Sequence, residues 1–201
     1  MKIKAKFKKC RRLGSAIYEK CRSAKFAISE ERRAAKAGRG KRMPRITEYG
    51  KKLIEKQKLK LSYILKEKKL KKYVFDAIDS PTETFLGIYS SLENRLDNVV
   101  YRIGLANSRA MARQMVSHGH ILVNGRKLNI SSYAVKIGDK IAVREESKDR
   151  VTFQSLVEKD LPKIPNWLSF DFKKLEGEVK AQPELETKEF DFQQIIEFYT
   201  R

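Results

Sequence analysis

LENRLDNVVYRIGLANSRAMARQMVSHGHILVNGRKLNISSYAVKIGDKIAVR, from Leu92 to Arg144, is the stretch whose reading decides the fold. Leu92, Leu96, Val99, Val100 and Ile103 recur at three- and four-residue intervals, the spacing of one apolar stripe on a helix. Gly104 ends that helix, and Ser108 caps a second one predicted to run to about Ser117. Ala110, Ala112, Met115 and Val116 form its predicted buried side, while Arg109 and Arg113 stand one turn apart and project together. Ile121-Leu122-Val123 then leads into Asn124-Gly125, the strongest two-residue hairpin signal, with Lys127 to Ile130 as the return. Gly138-Asp139 turns the chain once more into Ile141-Ala142-Val143. The expected product is a compact module of two helices beside a short twisted antiparallel sheet. No residue in it is equipped to break a bond.

Outside this stretch the dominant signal is charge. The 201-residue chain has 41% hydrophobic residues, enough for a real core, and a net charge of +20 with a pI near 9.9. Residues 1–72 carry 27 Lys/Arg against 6 Asp/Glu, a net of +21, and residues 73–201 are nearly neutral at −1. Such concentration points to a polyanionic partner. No apolar run approaches the roughly 18 residues that span a bilayer, so no membrane partner is expected. Nor does the N-terminus read as a secretory signal. Two cysteines suggest no disulfide framework. Cytoplasmic residence is the expectation.

The predicted organisation has four parts. Residues 1–46 are a basic, partly irregular segment with a short helix after Ser29 that ends at Gly38. Residues 47–91 are a helical domain. There Thr47 caps a long helix through about Val74, with an apolar side of Leu53, Leu59, Tyr63, Ile64, Leu70, Tyr73 and Val74. Asp79-Ser80-Pro81 breaks the chain before a short helix around Glu83 to Ser90. Residues 92–150 are the module. Residues 151–201 hold a helix near Thr152 to Lys159, a short strand at Trp167 to Asp171 and an amphipathic helix from Phe190 to Tyr199.

SRAMARQMVSHGHILVNGRKLNISSYAVKIGD, Ser108 to Asp139, resembles the RNA-binding module shared by small-subunit ribosomal protein S-four, some pseudouridine synthases and some aminoacyl-tRNA synthetases. Three further blocks, in the same order, resemble the bacterial ribosomal family: MPRITEYGKKLIEKQKLKLSYIL from Met43, LENRLDNVVYRIG from Leu92, and PNWLSFDFKKLEGEVKAQPE from Pro165. The resemblance covers roughly residues 40–201. It implies an α+β, mainly helical fold. The module is inserted in a helical domain that residues 151–201 return to complete.

The same resemblance implies a non-enzymatic constituent of the small ribosomal subunit with no cofactor. It would bind ribosomal RNA early, nucleate assembly, lie near the messenger RNA entry channel beside ribosomal protein five, and influence accuracy. The expected ribosomal RNA contacts in the basic half are Lys8, Lys9, Arg11, Arg12, Lys51, Lys52, Lys56, Lys58, Lys60, Lys68, Lys69, Lys71 and Lys72. Those around the module are Arg95, Arg102, Arg109, Arg113, Arg126 and Lys127. Arg39, Lys41, Arg42 and Arg45 are the expected messenger contacts, in a loop where the family's Pro-Gly-x-His-Gly stretch is replaced by Ala37-Gly38-Arg39-Gly40.

Zinc-binding members of the family carry two cysteine pairs near the N-terminus. Here the matching positions read Phe7-x-x-Cys10 and Cys21-x-x-x-x-Phe26, one cysteine of each pair replaced by phenylalanine. Structural zinc wants four nitrogen or sulfur ligands, so Cys10 and Cys21 read as relics, with no metal expected. His118 and His120 likewise lack a third ligand. Asp97 sits in an Asn-Arg-Leu-Asp context similar to that of the catalytic aspartate of pseudouridine synthases, but no catalytic domain surrounds it; helix-surface pairing with Arg95 or a neighbouring cation is the simpler role. Two rival classes are an RNA-modifying enzyme, which needs that missing domain, and a stand-alone stress or ribosome-rescue factor, which would lack the upstream and C-terminal blocks.

Overall fold

A computed structural model describes residues 6–14, 16–37, 46–148, 164–185 and 189–200. The chain divides into two compact units, residues 1–74 with 187–201, and residues 75–186. The first unit contains helices α1 (Lys6–Leu13), α2 (Ala24–Ala37) and α3 (Glu48–Ser62), the start of α4 (Glu67–Ile78), and a C-terminal helix, α9 (Phe192–Thr200). The second contains α5 (Thr84–Glu93), α6 (Leu96–Ile103), α7 (Arg109–Ser117), the short α8 (Glu145–Lys148) and five strands: β1 (Ile121–Val123), β2 (Arg126–Lys127), β3 (Lys140–Val143), β4 (Leu168–Asp171) and β5 (Glu176–Val179).

Thr47 caps α3 as expected, its hydroxyl accepting from the Gly50 N–H at 3.1 Å. The expected long helix, however, is broken after Ser62. The Ile64 N–H donates to the Leu61 carbonyl and the Leu65 N–H to that of Lys60, with Ile64 left-handed at φ +53°. This is a Schellman ending built on a residue that pays a steric cost there. Burial of Tyr63 and Leu65 holds it in place. The predicted stripe from Leu92 is likewise interrupted. Asn94 and Arg95 separate α5 from α6: Arg95 bridges Ala134, and the first N–H groups of α6, those of Leu96 and Asp97, donate to the Tyr133 and Ser131 carbonyls.

The module follows its sequence signals closely. Gly104 closes α6 at φ +95°, and the Ser108 hydroxyl accepts from the Met111 N–H at 3.2 Å. Asn124 and Gly125 both take positive φ between β1 and β2, the turn that matches strand twist. Ala112, Met115 and Val116 are buried, whereas Ala110 is exposed and takes no part in the core. The return strand spans only Arg126 and Lys127.

The sheet is larger than expected. Its antiparallel order is β2-β1-β3-β5-β4. Trp167, Leu168, Phe172, Leu175 and Val179 join Leu96, Val100, Val116, Ile121 and Ile141 in one core. Residues 164–185 therefore complete the module instead of leaving it at Arg150, and only the last helix belongs with the N-terminal unit. β5 covers the edge that β3 would otherwise expose, with Lys140 opposite Glu178. Gly177 permits the approach: a Cβ there would stand 2.2 Å from the Ser169 carbonyl oxygen. The helix expected near Thr152 to Lys159 lies outside the described residues.

In the first unit α9 packs on α3 through ionic contacts. Lys52 pairs with Glu197 at 2.5 Å. Glu67 accepts from Lys56, Lys60 and the Tyr199 hydroxyl at 2.7–2.8 Å. Burial alone would raise the Glu67 carboxyl, but these three donors outweigh it and hold it at about 2. Because the folded value lies below the ordinary 4.5, this contribution is present above pH 4.5 and is lost as pH falls toward 2. With the side chain 45% exposed, screening leaves about 1 kcal/mol. Thermal melts followed by circular dichroism should show Glu67→Gln about 2–4 °C less stable than the parent at pH 6, with the difference closing by pH 2.

Candidate nucleic-acid interface

The module's arginines are organised by two buried acids. Asp97, 3% exposed, accepts from Arg95 Nε at 3.0 Å and Nη2 at 2.8 Å. The same carboxylate accepts from Arg113 Nε at 2.8 Å. Glu93, fully buried, takes Arg102 Nε at 2.7 Å and Nη2 at 2.9 Å. Between them Asn98 donates to the Glu93 carbonyl and accepts from Arg109 Nε at 2.8 Å. The Arg109 guanidinium also lies over the Tyr101 ring, 4.6 Å from its centre.

These contacts sort the expected set. Arg95 is 4% exposed and held against Asp97, so it is a structural cation and not a surface contact. Arg102 and Arg113 keep 22% and 28% of their side chains exposed, each with one face on its acid. Arg126 and Lys127 project from the exposed β2. The Lys127 stem crosses Gly119 so tightly that a Cβ there would lie 2.1 Å from its Cε; Gly119 also holds φ +74°. Asp97 thus serves as an ion-pair hub, deeper than the helix-surface pairing expected. His120 shares a hydrogen bond with the Ser147 hydroxyl at 2.9 Å, and its ring stands edge-on to His118 at 6.0 Å.

In the first unit the expected cations fall into two groups. Lys8, Arg12, Lys51, Lys68, Lys71 and Lys72 are exposed, and Lys9 and Lys69 are half-buried, Lys69 over the Tyr73 ring. Several others are engaged within the fold. Arg11 reaches Glu30 at 2.5 Å and Ser29 at 3.2 Å; Lys58 pairs with Glu55, and Lys60 with Glu67. Lys56 is 6% exposed, paired with Glu67 and 4.1 Å from the Phe198 ring centre. It is a core cation, which corrects its place among the surface contacts. Sequence reasoning passed over Lys25, Arg32 and Arg33, which line one face of α2 with Ser29. Their spacing of seven and eight residues is the signal that would have found them. Arg39, Lys41, Arg42 and Arg45 lie outside the described residues.

Cys10 and Cys21 are buried together with Leu13, Tyr18 and Leu61. Burial and the hydrogen bond to Cys10 push the Cys21 thiol up to about 12, and burial lifts the Tyr18 hydroxyl to about 12 as well. Among the described residues no third donor joins them. Two thiols, with Cys21 pushed toward its protonated form, do not fit a tetrahedral zinc site, which needs four donors and deprotonated sulfur. Phe7 and Phe26, at the other two positions, stack with ring centres 5.5 Å apart.

Comparison with known proteins gives matches along the chain. A family described as the ribosomal protein S4/S9 N-terminal domain matches residues 2–93, and the S4 domain matches residues 94–141. The small ribosomal subunit protein uS4 of Roseiflexus sp. (strain RS-1) is 45% identical over 169 residues, 82% of either chain. Its counterpart in Halothermothrix orenii is 48% identical over 166 residues, 81% of this chain and 79% of that one. That of Aquifex aeolicus is 45% identical over 167 residues, covering 80% and 79%.

The hub and the exposed cations predict different losses. Asp97→Ala leaves a buried guanidinium uncompensated and should destabilise the second unit by about 3–5 kcal/mol in urea denaturation. Arg126→Ala should stay within about 0.5 kcal/mol of the parent.

Proposed function

The chain belongs to the small ribosomal subunit protein uS4 family, whose members are non-enzymatic ribosomal constituents that bind ribosomal RNA, and from that premise we propose that it acts as an early, electrostatic brace on the RNA. The observation carrying this reading is the surplus of cations in residues 1–72, 27 against 6 acids. Ion pairs within the fold can neutralise only a few of them. Lys8, Arg12, Lys51, Lys68, Lys71 and Lys72 are exposed on the first unit, with Lys51 beside Glu48. Arg102, Arg109, Arg113, Arg126 and Lys127 supply the second. Each unit engages its own RNA helix, and binding both at once fixes a junction, which is the step that nucleates subunit assembly.

Contacts of this kind read phosphate positions and helix shape, because the deep major groove of RNA is closed to side chains. The proposal extends to the messenger entry channel, where Arg39, Arg42 and Arg45 hold a single strand by bidentate phosphate contacts and Lys41 adds a point charge. A neighbouring contact with ribosomal protein five, and an influence on decoding accuracy, complete the assignment. The burial of Asp97 under two guanidinium groups argues against a modifying enzyme, since a nucleophile must reach its substrate. The N-terminal family match over residues 2–93 argues against a stand-alone rescue factor built on the module alone.

Two measurements test this. Affinity of the full chain for small-subunit ribosomal RNA should fall about 10³–10⁵-fold between 50 and 200 mM salt if roughly 6–10 phosphates are neutralised; a flat salt response defeats the proposal. Ribosomes carrying Arg42→Ala with Arg45→Ala should show altered messenger handling in translation assays while subunit assembly profiles stay normal. Defective assembly with normal decoding would reverse the roles of that loop.

A further inference from the structure

The most cationic part of the first unit contains an apolar recess. It lies between α1 and α3 and encloses about 410 Å³. Its floor is Leu13, Leu53, Ile54 and Leu61, of which Leu13 and Leu61 are buried. Lys9 and Arg12 line it from α1, and Lys60, which also pairs with Glu67, lines it from α3. One neutral polar group, the Gln57 amide, also lines the recess and carries both donors and an acceptor. An apolar hollow ringed by cations suits a ligand that is flat and apolar on its face, polar on its edge and anionic at its flanks.

An unstacked RNA nucleotide meets all three conditions. Proteins recognise splayed bases by packing them against apolar side chains and guanidinium planes and by hydrogen bonds to their edges. Building on the RNA-binding reading above, we propose that this recess takes one extruded base of the small-subunit ribosomal RNA. Leu53, Ile54 and the Arg12 guanidinium cover the faces of the base. Gln57 pairs with its edge, and Lys9 with Arg12 holds the flanking phosphates. The volume lies in the range of small-molecule sites, which admits a base of either size, so Gln57 and not the cavity wall sets the preference among bases. An otherwise shape-reading protein thereby gains one nucleotide-specific contact.

The test uses the full-length chain and small-subunit ribosomal RNA over a salt series. Gln57→Ala, which a helix tolerates well, should weaken binding about tenfold with the salt slope unchanged, because an edge contact is lost and no phosphate contact. Lys8→Ala, outside the recess, should instead lower the slope by about one. If the parent binds with a steep salt slope and Gln57→Ala binds equally well, the base site is overturned while the RNA reading stands. If the parent itself shows no salt-dependent binding, both fall. A second arm places a benzophenone amino acid at Leu53 in assembled subunits. A crosslink to a single ribosomal RNA nucleotide supports the site. Crosslinks to protein alone overturn it in favour of an apolar side chain from a neighbour, and no crosslink overturns it outright.

Discussion

A carboxylate taken out of water is tolerable only while its partners stay in place, and Asp97 imposes that condition on the second unit. Its side chain holds Arg95 and Arg113, its own N–H donates to the Ser131 carbonyl, and Arg95 bridges Ala134. One acid therefore joins the start of α6, the body of α7 and the 131–134 connection. Glu93 repeats the logic with Arg102, and Asn98 links the two arrangements through Arg109. The outward faces of Arg102, Arg109 and Arg113 inherit fixed positions from these inward contacts. Guanidinium groups already held this way lose little rotamer freedom on meeting phosphate. Stability and binding geometry are then two consequences of the same buried charges.

The first unit solves a different electrostatic problem. With net +21 in residues 1–72, its helices repel themselves, and the few acids available must sit where they relieve most. Glu67 does so by collecting Lys56, Lys60 and Tyr199, and Glu197 on the C-terminal helix by meeting Lys52. The return of α9 is thus as much electrostatic as apolar. Lys66, Lys68, Lys71 and Lys72 are exposed, and theirs is charge a polyanion can neutralise. Repulsion tolerated in the free protein becomes attraction in the complex.

Signals that act over a few residues could be read from the sequence, and the structure carries them: Thr47 and Ser108 as caps, Gly104 as a stop, Asn124-Gly125 as a hairpin turn. Features set by distant partners could not be. Ile64 ends α3 without any glycine or proline to mark it, because burial of its neighbours outweighs its left-handed strain. Lys56 looks like a surface cation in a charge count, and only the Glu67 carboxylate and the Phe198 ring brought to it by folding turn it into a core residue; the Arg95–Asp97 pair was legible, but its burial was not. β5 was missed because Glu176-Gly177-Glu178 resembles a solvated turn until β3 and β4 pair with it on both sides.

The N-terminal segment is held together by two buried thiols and an aromatic pair. A tetrahedral metal crosslinks four points; here there are two buried sulfurs, with burial pushing the Cys21 thiol up, and a stacked aromatic pair. Aromatic stacking contributes only about 0.5–1.5 kcal/mol beyond the area it buries, far below the stabilisation from a structural zinc. The deficit falls on neighbouring contacts. Arg11 spans from α1 to Glu30 and Ser29 on α2 while its guanidinium covers the Phe26 ring, so one side chain ties both helices to the aromatic pair. Leu61 carries the same small core onto α3. A segment held by so few apolar contacts gains most from an external partner. Its concentration of cations and its small apolar cluster stand together in the part of the chain that carries most of the charge.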